Sequence, residues 1–445
     1  MSGSFAPELA ARIESAISPT GVLGFTTEIP SPEGSAPFYI YGASVGEIGV
    51  INENARLAAN GNSTRGTLDG AGGATDREDA RLLAAAEAIE RYSSCTYDER
   101  QFRWATERKI GESAVPLASL PRISAAEEAA SEFWRTPDPD APIRWVKALS
   151  LNNGEEVWLP AILTYLHLPF ASEGERFSAP ISTGCAIHSD PLLAVANGLM
   201  EVIERDAISL TWLQMLRLPL LSDDRLKDEV VIASLRRDSS KESTTLTLFD
   251  ATTDLGVPTV YGIDVSPWSD AHHTVVAAVT SHDFDSAVRK IRREVLSCRI
   301  ALQSRRSQRT DPSTFIDVHD GALFMGSRER YGAFDFLMGD VAARGRQQPL
   351  RTLPSGEESP VGLVTGLLDA VESAGMTAYA VDLTSREARQ LGLFACKVVV
   401  PELMPLSFVR QAQFRGSRRL YEAPASMGYT VRTEGELNSW PQPFA

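Results

Sequence analysis

Two short stretches repeat one arrangement of carboxylates. Ala84–Tyr92 reads A-A-A-E-A-I-E-R-Y and Asn197–Asp206 reads N-G-L-M-E-V-I-E-R-D. E-x-x-E-R therefore occurs twice, as Glu87, Glu90 and Arg91 and as Glu201, Glu204 and Arg205. At about 100° per residue, Glu87, Glu90 and Arg91 share a helix face with Ala80, Leu83 and Ala84, and small residues there leave room for a ligand. Asn197, Glu201 and Glu204 fall within about 60° of one another, with Arg205 at their edge. Like charges at i,i+3 cost a helix roughly a few tenths of a kcal/mol. Four converging carboxylates cost far more unless cations neutralise them. Hard oxygen ligands suit Mg²⁺. A nucleoside triphosphate of roughly −4 charge, with Mg²⁺ and nearby arginines, would close such a charge balance. A single E-x-x-E-R is an ordinary solvated helix face. Two copies on strongly amphipathic helices weigh toward a site.

Other candidates are less specific. Asp69–Thr75 is Gly-rich and precedes the first motif; it reads as a plain turn or as a loop presenting backbone N–H groups to phosphate. It is neither a Walker A loop nor a dinucleotide fingerprint, because no Gly-Lys-Ser/Thr follows and Thr75 stands at the last Gly position. Residues 289–309 hold Arg289, Lys290, Arg292, Arg293, Arg299, Arg305, Arg306 and Arg309 against Glu294. They read as a solvated basic helix, or as one whose Lys290 and Glu294 face a nucleotide while the outer arginines meet an acidic partner. His188 lies between a turn and a helix and suits a structural role equally well. No Ser/His/Asp or Cys/His arrangement can be read from spacing, since triads assemble in space.

The elements that must position these residues are strands and helices in alternation, which predicts an α/β (α+β) fold. Helices are expected over about Arg77–Thr96, Pro191–Leu216, Ser286–Gln303 and Leu363–Ala374. Asp190 as N-cap and Pro191 as first helical residue support the second. Strands are expected over Phe38–Val45, Ile143–Leu149, Val157–Leu166, Thr245–Ala251, Val257–Asp264, Thr274–Thr280, Thr377–Leu383 and Leu393–Val400. Residues 1–36 read as an N-terminal arm with one amphipathic stretch near Glu8–Ile17. Residues 37–445 form the main domain, with a polar linker over 343–360 and a Pro-containing tail over 438–445. No repeat is apparent at a period of about 20–50 residues.

Composition bounds the rest. The 445 residues allow about three domains, or fewer with one large α/β core. With 43% hydrophobic residues a packed core is expected. The 43 Lys and Arg against 58 Asp and Glu give a charge of −15, which argues against bulk nucleic-acid binding. Cys95, Cys185, Cys298 and Cys396 are scattered, so a zinc knuckle or disulfide scaffold is disfavoured. No apolar run is long enough to span a bilayer and no secretory signal opens the chain, so a cytoplasmic protein is the expectation.

At the level of motifs in context, the chain resembles the YcaO superfamily from about residue 38 onward. The matching stretches are Gly72–Arg91 (G-G-A-T ahead of E-A-I-E-R), Ser182–His188 (S-T-G-C-A-I-H), Asn197–Asp206, the spacing of Glu294, and Val398–Pro405 (V-V-V-P-E-L-M-P). Within that family it is similar to the stand-alone D component of azole-forming cyclodehydratases, whose tails end in P-x-P-x-P; here the end is P-Q-P-F-A. The resemblance implies a YcaO-type fold with mixed sheets packed by long helices. It implies ATP and Mg²⁺ as cofactors, with Mg²⁺ held by Glu87, Glu90, Glu201 and Glu204. Asn197, Arg205, Lys290, Glu294 and Arg91 would contact the nucleotide, and the Ala445 carboxylate would serve as catalytic base. Departures are a first loop without the family's lysine, Leu83 and Leu193 where polar residues are usual, and Lys290 for arginine.

The implied reaction is ATP-dependent cyclodehydration of Cys, Ser or Thr in a ribosomal precursor peptide to thiazoline or oxazoline, in the biosynthesis of an azole-containing peptide antibiotic. The alternatives are backbone thioamidation and a non-catalytic scaffold. The implied partners are the precursor peptide, a leader-binding protein (E1-like or winged-helix), a flavin dehydrogenase in the same complex, and a second copy in a homodimer; neither nucleic acid nor membrane is expected.

Overall fold

A computed structural model describes residues 5–30, 38–47, 49, 68–221, 244–303, 309–315, 318–341, 343, 346–347 and 359–444. Along the chain, α1 (Pro7–Ser15) precedes β1 (Phe25–Ile29), β2 (Tyr39–Ser44) and β3 (Gly70–Ala74), and α2 (Arg77–Cys95) follows. Next come β4 (Arg103–Ala105), β5 (Ile143–Ser150), β6 (Glu156–Pro160) and β7 (Cys185–His188), then α3 (Pro191–Leu213). A third run holds β8 (Leu220–Leu221), β9 (Thr245–Asp250), β10 (Thr259–Val265) and β11 (Thr274–Thr280), then α4 (Phe284–Gln303) and α5 (Val318–Met325). The chain continues with β12 (Arg346–Gln347), α6 (Pro360–Ser373), β13 (Tyr379–Asp382), β14 (Phe394–Val399) and α7 (Arg419–Ser426).

These strands make three sheets, ordered β1-β2-β3, β4-β5-β13-β14-β7 with β6 on β5, and β11-β10-β9-β8-β12. All described pairings are antiparallel except β8–β12. The third sheet is covered on both faces. Tyr261, Phe249 and Ile263 meet Trp212 and Phe334 on one side, while Val260, Ala277 and Val279 meet Ala287 and Ile291 of α4 on the other. This is why β11 reads T-V-V-A-A-V-T with every residue buried rather than alternating.

The architecture rests on three strand–aspartate–helix units. β3, β7 and β11 each lead into α2, α3 and α4 through a capping aspartate. Asp76 accepts the backbone N–H of Glu78 and Asp79, Asp190 that of Leu192 and Leu193, and Asp283 that of Ser286. Each cap carbonyl takes the N–H of a buried alanine four residues on: Ala80, Ala194 and Ala287. Each helix packs on its own strand and on the next unit's strand: α2 on β3 and β7, α3 on β7 and β11, α4 on β11 and β3. The three units therefore close into a ring.

Several expectations need correction. The N-terminal arm is integrated: Ile13 and Leu23 are fully buried and β1 pairs with β2 over its length. The Gly-rich stretch is strand β3, not a turn, because Gly70 and Gly72 lie against α2, where a Cβ would collide with the backbone of Ala80, Ala84 and Ala88. The strand expected through Leu166 stops at Pro160 and passes into a 3₁₀ turn. Of the linker 343–360, most lies outside the described residues, while Arg346–Gln347 forms β12 and Pro360 opens α6.

The back of α3 is fastened by a buried charge cluster. Arg419 of α7 donates to both carboxylate oxygens of Asp206 at 2.7 Å and to Asp254 at 2.8 Å, and the Met404 amide also reaches Asp206. Asp206 is completely buried. Removing Arg419 leaves that charge uncompensated, which typically costs about 3–5 kcal/mol. Arg419→Ala should lose that much in urea unfolding at pH 7, whereas Arg418→Ala, on exposed Arg418, should change little. A loss for Arg419→Ala as small as that of the exposed control would refute the fastening role.

Candidate active site

The ring brings its three helices together. Glu87, Glu201 and Glu294 each stand eleven residues beyond the capping aspartate of their unit. The same reach along three helices that start alike places three carboxylates at a common level. Glu90 and Glu204 follow one turn later on α2 and α3.

The two E-x-x-E-R motifs are held by matching contacts. Glu87 accepts the Ala71 amide at 2.8 Å and pairs with Arg91 at 2.5 Å. Glu201 accepts the Gly184 amide at 2.9 Å and pairs with Arg205 at 3.2 Å. In each motif the first glutamate is thus tied to the strand or turn before its helix and to the arginine four residues on. The second reaches forward: Glu90 faces the Ile187 amide of β7, which favours its charged form, and Glu204 accepts the Thr280 amide of β11 at 2.9 Å. Arg91 also donates to the Asp69 carbonyl, and Arg205 to Glu204 at 2.9 Å.

The electrostatics show how closely these groups face one another. Burial pushes the Glu90 carboxyl well above the usual range, and Glu87 and Glu201 push it further. Glu204 is pushed up to about 7, by burial first, with Glu201 and Glu294 adding against the pull of Arg205 and the Thr280 amide. Glu294 is partly exposed, yet loss of solvent around its carboxyl raises its pKa, and Glu87 adds to the shift. Lys290 is lowered by burial, while Glu204 and Glu294 act to keep its charge. Arg205 is opposed by burial but held charged by Glu204 and Glu201.

Glu87, Glu90, Glu201, Glu204, Arg205, Lys290 and Glu294 are thus brought together, and Asn197 is exposed one turn before Glu201. Arg91 anchors Glu87 and the Asp69 carbonyl. Ala445 lies outside the described residues; the tail before it is buried, with Phe444 against Tyr261 at 5.3 Å between ring centroids. The basic stretch divides differently than expected. Arg299 is interior and binds Asp264 and the His272 carbonyl, Arg292 is buried, Arg309 pairs with Asp320, and Arg305 and Arg306 lie outside the described residues. His188 accepts the Asp190 amide through Nδ1, a structural role at the turn.

Sequence reasoning missed the third member of the set as a repeat. The signal was present as D-x₃-A-x₆-E beginning at Asp76, Asp190 and Asp283. Its copies are separated by far more than a solenoid period.

The donor set fits Mg²⁺ carried by a polyphosphate. Among the described residues no three His, Cys, Asp or Glu side chains stand close enough to hold an ion alone. Mg²⁺ is characteristically held by one or two carboxylates plus substrate phosphates. The hard oxygens of Glu87, Glu90, Glu201 and Glu204, and the raised pKa values beside them, match such a cation.

Glu204 makes this testable through stability. Its folded pKa of about 7 lies above the ordinary 4.5, so the folded protein holds a proton that the unfolded chain has lost between those values. Stability must fall as pH rises through that window and level off above it. Glu204→Gln removes the effect while keeping an acceptor for Thr280. Without nucleotide, its unfolding free energy should gain about 1–3 kcal/mol on the wild type between pH 5 and pH 8. Parallel pH profiles would show that Glu204 ionises normally.

Comparison with known proteins agrees with this geometry. Residues 71–404 match the family model described as YcaO cyclodehydratase, ATP- and Mg²⁺-binding. An uncharacterized protein in the tfuA 3' region of Rhizobium leguminosarum bv. trifolii is 33% identical over 128 residues, covering 26% of this chain and 28% of that protein. A heterocyclase in complex with substrate and cofactor is similar with a TM-score of 0.81 at 21% identity, over 98% of this chain and 57% of that one. This chain thus spans little more than half of that protein. YcaO from Methanopyrus kandleri, bound with AMPPCP and Mg²⁺, gives a TM-score of 0.62 at 18% identity over 92% and 94% of the two chains. A chain of the E. coli microcin synthetase McbBCD complex with pro-MccB17 bound gives 0.60 at 12% identity over 94% and 96%. These likenesses show the fold. The family match runs through all three helices that carry the glutamates, and the chain belongs to the YcaO family, with ATP and Mg²⁺ as its cofactors.

Proposed function

We propose that this protein is an ATP-dependent cyclodehydratase that forms azolines in a ribosomal precursor peptide. The observation that carries the reading is the convergence of Glu87, Glu90, Glu201, Glu204 and Glu294 with Arg205 and Lys290 at the junction of three helices. A carboxylate set with this excess of negative charge suits a cation–polyphosphate complex rather than a metal alone. The peptide substrate is supported by the structural neighbours, one of them a heterocyclase in complex with substrate and one a synthetase complex with pro-MccB17 bound.

In this reading a Cys, Ser or Thr side chain adds to the preceding backbone carbonyl carbon and gives up its proton. The resulting oxyanion takes the γ-phosphoryl group of ATP, and ADP departs. Loss of the amide proton and of phosphate then forms the C=N bond of the azoline. Oxygen leaves as phosphate instead of as hydroxide, which is the reason for ATP. Mg²⁺, when bound, neutralises the phosphate oxygens. The chain's own residues position and balance charge, which is most of what phosphoryl transfer needs. Glu87, Glu90, Glu201 and Glu204 hold the metal–nucleotide, and Arg205, Asn197, Lys290, Glu294 and Arg91 surround it. Ala445, next after buried Phe444, is the proposed proton acceptor.

The proposed partners are the precursor peptide, a separate leader-binding protein, a flavin dehydrogenase that oxidises azoline to azole, and a second copy of the chain. Cytoplasmic residence and a place in antibiotic biosynthesis belong to the same proposal. Among the described residues no helix is long and apolar enough to cross a membrane.

The test is a mass measurement on a Cys/Ser/Thr-rich precursor incubated with this protein, its leader-binding partner, Mg²⁺ and ATP. Losses of about 18 Da per site with equal release of phosphate are expected. Glu201→Gln should lower turnover by about 100-fold or more while peptide binding persists. A gain of about 16 Da with a sulfide source would replace the reading by thioamidation through the same phosphorylated amide. No change in the peptide would leave a scaffold.

A further inference from the structure

A groove adjoins the glutamate cluster but is no part of it. Its walls are the segment Phe177–Thr183, the end of β14 at Lys397–Val399, and the turn 400–405, around a cavity of about 90 Å³. Val398 and Val202, Leu163 and Phe414 make most of the surface apolar.

One group in this wall does not suit an apolar lining. Lys397 is 3% exposed, and its ammonium donates to the Ile181 carbonyl at 2.7 Å. Among the described residues no carboxylate forms an ion pair with it. An ammonium carries three donors, and a buried one is costly when they are left unmatched. Lys397 is among the residues that line the groove.

The groove is also coupled to the glutamate cluster. The Val398 amide donates to the Gly184 carbonyl at 2.8 Å, and the Gly184 amide donates to Glu201. Lys397 stands opposite Cys185 in the β14–β7 register, and the Cys185 thiol senses Lys397 and Glu90 together. Gly184 is held at φ +83, and a Cβ there would collide with Val398, so the wall and the cluster are fixed to each other.

We propose that this groove takes the backbone of the peptide to be modified and that Lys397 donates to the carbonyl oxygen of its target amide. The inference rests on the peptide-modifying reading above and adds the substrate's place and its contact. A carbonyl is a neutral acceptor that gains negative charge as the side chain adds to it. A fixed ammonium therefore binds the addition product more strongly than the starting amide.

The experiment measures binding of a fluorescein-labelled Cys/Ser/Thr-rich precursor peptide by anisotropy. It uses the full chain with its leader-binding partner and Mg²⁺ with a non-hydrolysable ATP analogue; affinity for the analogue is measured alongside. Two variants are compared: Lys397→Met, which removes the charge at similar length, and Val399→Trp, which fills the groove and leaves the lysine. Both should weaken the peptide contribution about 10- to 100-fold, the scale of a hydrogen bond from a charged group. Affinity for the nucleotide analogue should stay within about twofold. Lys397→Met should lower kcat as well as raise KM, and Val399→Trp should act mainly on KM. Unchanged peptide binding in both variants would overturn the proposal. Loss of analogue affinity in parallel would also overturn it, because Lys397 would then be a tether for the 177–183 segment. Groove-dependent binding of peptide without azoline formation would retain the groove and discard the cyclodehydratase reading.

Discussion

The mutual repulsion of five carboxylates at one junction is the constraint around which this protein is built. Glu87, Glu90, Glu201, Glu204 and Glu294 come from three helices, and no ordinary core would accept them. The fold offsets part of this with fixed dipoles. Three of the carboxylates each accept a backbone N–H, from Ala71, Gly184 and Thr280, and the Ile187 amide faces Glu90. Arg91 and Arg205 supply the nearest positive charge. What is left is the raised pKa of Glu90, Glu204 and Glu294, set first by burial and then by the neighbouring carboxylates.

Those backbone donors explain the ring. A carboxylate on one helix is satisfied by the strand of its own unit or of the next. The first motif draws on β3 and β7, and the second on the turn before β7 and on β11. The capping aspartates fix where each helix starts, and eleven residues later each presents a glutamate at the same height. Small residues allow the approach. Gly70 and Gly72 let β3 lie on α2, and Gly198 of α3 faces Val398 of β14 with no room for a side chain. The cost of a glycine inside a helix, about 1 kcal/mol against alanine, is accepted at Gly198 for that contact. Behind α3, the Asp206–Arg419–Asp254 cluster holds the helix from the side away from the glutamates.

Much of this was legible in the sequence because it is local. Periodicity and caps located α2 and α3 to within a few residues, and E-x-x-E-R put paired carboxylates on one face of each. The stretch from Thr274 to Thr280 reads as a strand and is one, end to end. What was not legible depends on partners distant in the chain. Gly70–Ala74 has the composition of a turn and becomes a strand because α2 presents alanines where the glycines need space. Phe25–Ile29 is polar enough to read as an arm and is ordered by pairing with β2. Arg299 belongs to a basic run, yet Asp264 and a carbonyl draw it inside. The third aspartate–glutamate spacing was visible but lacked the second glutamate and the arginine, since Ser297 and Cys298 stand in those places.

That last difference bears on how the site is charged. If all three helices carried E-x-x-E-R, two further charges would enter, and they would cancel. Instead α4 contributes Glu294 with Lys290 one turn before it, a cation whose charge Glu204 and Glu294 sustain against burial. The cluster is therefore asymmetric: α2 and α3 present paired acids, and α4 presents one acid and one base. A symmetric ring of acids would favour a metal at its centre. Yet no three acidic, histidine or cysteine side chains among the described residues are close enough to enclose one. An elongated ligand carrying both signs would suit the asymmetry better: the paired acids of α2 and α3 would meet its cations, and Lys290 its anionic oxygens. A metal-bridged triphosphate has that distribution of charge. The sequence feature that breaks the repeat is thus the one that gives the site a direction.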